Sequence, residues 1–399
     1  MTNNLAQSKR VSSRAHKMLE DLTQIISQQK DEVGIGQYTK RYSKTNLHSM
    51  PSLSKAIVEK TVSDMEKEGY VFERKGDSNF YSITSDDVIK IYEKRGEKKY
   101  RDKYQDPYVI MISNLKGGVS KTVSTVTLAH ALRTHDHLLK EDLRILVIDL
   151  DPQSSATMFL RSDNAIGSVD NTATQAMLQN IDEEELINDY IISSNIKNVD
   201  LLPSSIDDAF IASDWGMICE EHLPNTHPSK VLSENLISKL KGHYDFIFVD
   251  SGPHLDALLE NSIVAADLLM TPIPPATVDL HSTLKYLNRL PDLAQSLAER
   301  GSSVKFSRNV GFMTKIQSKT DHEQSKSIAK EIFGSELLDA DLPRIDAFER
   351  CGESFDTVIS ATGMVYQGSE KTLQKAKESA YRFALSVFNK IQNIRDGVY

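Results

Sequence analysis

The residues of this 399-residue chain best equipped for chemistry lie between Asn114 and Val123, where Lys116 and Lys121 bracket Gly117, Gly118, Val119 and Ser120, and Thr122 and Val123 follow. The apolar run VIMIS leads into this stretch and the helical pattern VSTVTLAHALR leads out of it. Strand, glycine turn and helix start make a phosphate-binding loop, whose backbone N–H groups face an anion. In that arrangement residues 117–123 cradle a nucleoside triphosphate, Lys121 reaches the β- and γ-phosphates, and the Thr122 hydroxyl is placed to ligate magnesium. The common spacing of such loops puts glycines where this chain has Leu115 and Ser120; its glycines stand directly behind Lys116 instead. That placement points Lys116 out of its own loop, which suits a charge offered to the nucleotide of a facing subunit, as an arginine finger is. The plainer alternative is a solvated loop lysine.

Two further stretches end apolar runs in acids. VIDLDPQ carries Asp149 and Asp151, and FIFVDSGP carries Asp250. Open α/β sheets bind their ligands at the carboxyl ends of strands, so both acids arrive on the side of the phosphate loop. Asp151, on the loop, is placed to position or activate the attacking water, with Asp149 supporting magnesium or the loop. A helix-capping role is the alternative for either. Asp250 stands at the Walker B position, where a carboxylate holds magnesium directly or through water, and the SGP behind it suits a γ-phosphate switch. The reaction class is hydrolysis of a nucleoside triphosphate.

Elements must position these groups. RILVIDL (144–150), DFIFVD (245–250), DLLMTPI (267–273) and NVGFMTK (309–315) read as strands buried on both faces, alternating with helical periods. That pattern predicts an α/β fold, a mostly parallel doubly wound P-loop NTPase sheet with helices on each side, over residues 106–399. Residues 161–230 are assigned only as helices and loops over the nucleotide side. The charged stretch GEKKYRDKYQDP (96–107), without apolar period, reads as the domain boundary.

Ahead of it lie two smaller units. Val11, Ala15, Met18, Leu19, Leu22, Ile25 and Ile26 fall at three- and four-residue steps, one apolar helix face within residues 1–35, which must pack either on its own domain or on a second copy as a dimerisation helix. Residues 36–105 read as a winged helix-turn-helix. Ser52 or Ser54 caps a helix with Leu53, Ile57, Thr61, Val62 and Met65 inward and Gly69 at its end. YVFER and NFYSI around KGDS then form a hairpin wing. Lys55, Lys60, Arg74 and Lys75 would be its DNA-facing charges; a small α+β packing domain with a solvated rim is the alternative.

The formal charge of −9 hides an asymmetry. Residues 1–105 hold 20 Lys and Arg against 15 Asp and Glu, leaving 27 against 41 for the rest, so a basic N-terminal part joins an acidic body. No 20-residue apolar run or signal pattern occurs, so a soluble, intracellular protein is expected. With only Cys219 and Cys351, neither a disulfide framework nor a cysteine metal site is built.

KGGVSKT, VIDLDPQ and FIFVDSGP together resemble the deviant Walker A pattern of the ParA/MinD ATPases. SSATMFL (154–160), SIDDAFIASDW (205–215), PPATVDLHS (274–282) and FERCGESFDTVIS (348–360) extend the likeness to nearly the whole chain. With the N-terminal unit it resembles the large, winged-helix-containing ParA-type plasmid partition ATPases. The resemblance implies an ATP-dependent homodimer that binds double-stranded DNA nonspecifically, hydrolyses ATP weakly with Mg2+, and is stimulated by a ParB-type centromere-binding protein. It also implies repression of its own operon, favoured with ADP, and a cytoplasmic, nucleoid-associated location. Position by position, Lys116 becomes the trans-acting lysine, Lys121 and Thr122 the phosphate and magnesium contacts, Asp151 the hydrolytic acid and Asp250 the Walker B acid. Arg350 and Arg344 fall where the family places nonspecific DNA contacts; surface ion pairs on an acidic body are the alternative. Nitrogenase iron proteins are set aside because Cys219 and Cys351 are not at their cluster-ligating positions. MinD relatives carry a membrane-binding C-terminal helix, whereas the line Leu373, Ala376, Ala380, Ala384, Val387 and Ile391 is alanine-rich and suits packing on a sheet, so no membrane partner is expected.

Overall fold

A long helix, α1 (Asn4–Glu32), opens the computed structural model, which describes residues 4–32, 37–76, 78–162, 169–363 and 366–398. Side chains 4, 26, 27 and 29–32 lie outside that description, Ile26 of the apolar stripe among them. Val11, Met18, Leu19, Leu22 and Ile25 are between 45% and 59% exposed. The stripe is therefore not covered by the chain's own domains.

β1 (Arg41–Tyr42), α2 (Lys44–Leu47), α3 (Lys55–Lys67), β2 (Ile83–Thr84) and α4 (Ser85–Lys94) build the helix-turn-helix unit. Ser43 and Thr84 start α2 and α4 with reciprocal capping boxes. Ser54 occupies the N-cap position of α3 without a side-chain bond, and Gly69 at φ +93° ends the turn behind it. Leu53, Thr61, Val62 and Met65 are buried as expected, but Val58 takes the place expected of Ile57, which is only half-buried. The wing differs from its expected form. It is held by a single bridge, Arg74 to Tyr81, with Lys75 N–H to Phe80 O at 2.8 Å and Ser82 N–H to Glu73 O at 2.9 Å, while the regular ladder pairs β1 with β2.

The segment read as the domain boundary carries docked structure of its own. α5 (Tyr100–Lys103) buries Tyr100 against Phe246 and Phe388, and Lys99 and Arg101 pair with Asp142 at 2.8 Å each. One aromatic anchor in a charged segment leaves no period to detect.

In the body, β3 (Tyr108–Ile112) leads through the phosphate loop to α6 (Lys121–Thr134), and β4 (Ile145–Asp149) follows. Then come α7 (Ser155–Leu160), α8 (Ala173–Leu178), α9 (Glu183–Glu185), β5 (Ile192–Ser193), β6 (Val199–Leu202), α10 (Asp208–Ser213) and α11 (Trp215–His222). The chain continues with β7 (Phe246–Asp250), α12 (Ala257–Ala265), β8 (Leu268–Ile273), α13 (Thr277–Glu299), β9 (Asn309–Ile316), α14 (Thr320–Phe333), β10 (Leu342–Pro343), α15 (Asp346–Glu353) and α16 (Glu370–Arg395). The eight strands lie in the order β10-β9-β8-β3-β7-β4-β6-β5, parallel throughout except for β5 against β6. β5 and β6 correct the reading of 161–230 as helices and loops alone; two short strands, one broken by Asp200, carry too few apolar residues to announce themselves.

One face of the sheet packs on α6, α15 and α16, the other on α8, α11, α12 and α13. Leu373, Ala376, Ala380, Ala384, Val387 and Ile391 are all buried, so the small side chains of α16 serve close packing. Cys219 and Cys351 are free and buried. Among the described residues no helix is long and apolar enough to cross a membrane.

The last turn of α6 anchors the N-terminal unit. Arg133, 5% exposed, pairs with Asp142 at 3.2 Å and with Asp86 of α4 at 3.8 Å, and Lys197 holds Asp86 at 2.7 Å.

Candidate active site

β4 and β7 lie side by side in register, which puts Asp149 opposite Asp250 at their carboxyl ends, next to the loop leaving β3. That loop winds through Gly118 at φ +76° and Ser120 at φ +74°, left-handed conformations that favour glycine; Ser120 adopts one as the N-cap of α6. Strain of this kind persists where surrounding contacts impose it. Here Thr314 Oγ1 donates to Val119 O at 3.3 Å and Lys315 Nζ to Gly118 O at 2.6 Å.

A cavity of about 620 Å3 opens over the loop, lined by Gly117, Gly118, Ser120, Lys121, Thr122 and Val123 on one side and by Asp151 across from them. Val119 is buried beneath the loop. Lys121 Nζ lies 3.3 Å from the Lys116 carbonyl, and burial lowers its pKa against the opposing pull of Asp250 and Asp151. An ammonium whose charge is this poorly compensated is ready for phosphate.

Thr122 Oγ1 donates to Asp250 Oδ2 at 2.7 Å. Burial pushes the Asp250 carboxyl well above the usual carboxylate range, with the nearby Asp149 as the second cause. Next to it, Ser251 Oγ is buried without a hydrogen-bond partner. The Thr122 hydroxyl and the carboxylate bonded to it, at the start of α6, fit Mg2+, which takes one or two protein oxygens and completes its shell with water and phosphate. Among the described residues no cluster of three or more His, Cys, Asp or Glu side chains forms a metal cage.

β4 ends at Asp149, so Asp151 stands on the loop behind it. Asp149 is fully buried and turned into the protein: Oδ1 accepts Asp151 N–H at 3.1 Å, and Oδ2 accepts Thr157 N–H and Oγ1–H at 2.8 Å each. These bonds tie the end of β4 to the loop behind it and to α7. Asp151 faces the cavity, and a Cβ at Gly252 would come within 3.4 Å of its Oδ1, so the loops after β4 and β7 meet here. Lys116 stays out of the cavity lining, its Nζ 3.6 Å from Asp279 of α13.

Sequence reasoning missed Thr314 and Lys315, which clamp the phosphate loop, and Ser204, whose Oγ donates to Asp151 O at 2.7 Å. Their signal was positional, since all three sit at or just past the carboxyl ends of strands. Phe159, Ile345 and Phe348 add an apolar wall to the cavity, and Arg344 lines it too, beside Glu349 at 3.8 Å.

A family model described as a ParA helix turn helix domain matches residues 15–104, and one described as an AAA domain matches 108–300. Plasmid partition protein A of Escherichia coli is 54% identical over 392 residues, 98% of this chain and 98% of that protein. The chain belongs to the ParA-type plasmid partition family. A solved partition protein superposes with a TM-score of 0.79 at 40% identity, covering 98% of this chain and 99% of that one. A plasmid partition protein from Borrelia burgdorferi bound to AMPPNP shares the fold, with a TM-score of 0.51 and 22% identity over 71% of this chain and 99% of that one. As a family member the chain is a P-loop ATPase carrying a helix-turn-helix DNA-binding domain.

In that domain Lys55, Lys60 and Lys75 are exposed. Arg74 is engaged: its guanidinium lies 3.6 Å from the centre of the Tyr81 ring and Nη2 is 2.9 Å from Glu66, so it braces the wing against α3. Arg350, on α15, donates to Gln367 O at 3.1 Å and is exposed.

Proposed function

We propose that this chain is the motor of a plasmid partition system: an ATPase that dimerises with ATP, binds DNA nonspecifically in that state, and is returned to the ADP state by a ParB-type centromere-binding protein. The observation that carries the reading is the convergence of Lys121, Thr122 and Asp151 on one cavity at the carboxyl ends of β3, β4 and β7, with Asp250 bonded to Thr122 behind it.

Magnesium held there would supply charge neutralisation at the phosphates. Thr122 and Asp250 would hold it. The loop N–H groups and Lys121 bind the phosphates, and Asp151 orients water against the γ-phosphate, with Asp149 fixing its backbone. Lys116, outside its own cavity, is offered to the nucleotide of the second subunit, and the uncovered stripe of α1 serves the dimer. With ADP, the helix-turn-helix unit represses the chain's own operon through Lys55, Lys60 and Lys75, with Arg74 as brace. Arg344 and Arg350 would meet nonspecific DNA.

Asp151→Ala is the decisive variant. Partition needs turnover, so plasmid loss with retained ATP binding is expected, while repression survives. Stable plasmid inheritance without hydrolysis would instead favour a nucleotide-gated repressor.

A further inference from the structure

The segment after β6 has no task in this cycle, yet it begins on the hydrolytic loop. Ser204 Oγ donates to Asp151 O at 2.7 Å, Ser204 N–H donates to Thr157 Oγ1 at 3.1 Å, and Ser154 Oγ–H donates to Ser204 O at 3.1 Å. Two residues later the chain faces solvent. Ile206, Phe210 and Met217 are 57%, 73% and 65% exposed. The opposite side of α11 is fixed, because Trp215 and Cys219 are buried and Trp215 Nε1–H donates to Pro228 O at 2.7 Å. α10 is held through buried Asp208, which accepts from Thr172 Oγ1 at 2.8 Å, so both helices are fixed from beneath while Phe210 and Met217 face solvent.

Acids stand among these exposed side chains. Asp207 follows Ile206, Asp214 separates α10 from α11, and within α11 Glu220 and Glu221 lie three and four residues after Met217, on its side of the helix. All four carboxylate residues are exposed, and none has an ion-pair partner among the described residues. A surface of this make-up fits a cationic amphipathic helix, whose apolar side covers Phe210 and Met217 while its Lys or Arg side chains meet the acids.

We propose that the outer face of α10 and α11 is the docking site of the hydrolysis-stimulating partner, engaged through a cationic amphipathic helix, and that Ser204 carries its effect to the Asp151 loop. The proposal rests on the reading that a ParB-type protein stimulates turnover. Docking at residues 206–217 presses on a segment whose first residue is bonded to the backbone of Asp151, so binding and orientation of the acid are joined by one short connection.

The test measures ATP turnover of the full chain with DNA against rising concentrations of the cognate centromere-binding protein. For Phe210→Ser with Met217→Ser, basal turnover and nucleotide affinity match the parent, and the half-stimulating concentration rises about tenfold or more. Asp214→Lys with Glu221→Lys weakens stimulation most at low salt. Ser204→Ala leaves partner binding intact, measured by a photo-crosslinker at position 210, and reduces the maximal stimulation. Full stimulation of the Phe210/Met217 variant overturns the docking site, as does loss of ATP-dependent dimerisation in that variant, which would mean a second copy covers this face. Full stimulation of Ser204→Ala overturns the coupling. Absence of stimulation in the parent chain sinks the underlying partner reading instead, so the two failures are distinguishable.

Discussion

Replacing Asp149 by Asn tests whether the hydrolytic loop is held from beneath. The parent carboxylate accepts three hydrogen bonds in a fully buried position, two from Thr157 and one from the backbone N–H of Asp151. An Asn oxygen can keep the two from Thr157, but its NH2 then faces the Asp151 N–H, donor against donor. A lost hydrogen bond to a charged group is worth about 1.5–3 kcal/mol. If that loss falls on the alignment of Asp151, turnover drops about 10- to 150-fold. Global stability changes little, because removing a carboxylate that burial already disfavours offsets the lost bond. Single-turnover hydrolysis, nucleotide affinity and thermal unfolding separate these effects. A turnover within twofold of the parent, or a loss of nucleotide affinity as large as the loss of rate, would refute the assignment of Asp149 to the loop.

Other outcomes follow from the same geometry. Because burial raises the pKa of Asp250 in the folded state, the folded protein holds protons that the unfolded chain has released, and stability of the nucleotide-free protein falls as pH rises from the ordinary carboxylate range through neutrality. Melting curves between about pH 5 and 8 should show this slope, and Asp250→Asn should flatten it. Arg133→Met should cost roughly 2 kcal/mol in denaturant unfolding, below the ~3–5 kcal/mol of a fully broken buried pair, because Asp142 keeps Lys99 and Arg101. Leu19→Glu with Leu22→Glu should leave the melting temperature of the dilute monomer unchanged and abolish dimers in sedimentation equilibrium, since both side chains are exposed in the single chain. Affinity for random duplex in the ATP state should fall steeply with salt as counterions are released; a flat dependence would exclude the basic contacts.

Spacing alone announced the phosphate loop and the two acidic strand ends, because each joins a continuous apolar strand to a polar turn and that junction is a local pattern. It likewise announced α16, whose alanines are a packing signature written in consecutive turns. It assigned the attacking water to Asp151 but left Asp149 between magnesium and the loop, since that choice depends on where β4 ends and on Thr157, eight residues away in the chain from Asp149. The docked segment around Tyr100, the strands β5 and β6, the engagement of Arg74 by Tyr81 and Glu66, and the bond from Ser204 to Asp151 were decided only by the tertiary structure. Each rests on single residues too sparse to set up a period, whether the partner lies far along the chain, as Phe246 does from Tyr100, or close by, as Glu66 does from Arg74. Local patterns determine which residues can do chemistry; the packing of strands and loops determines which of them meet.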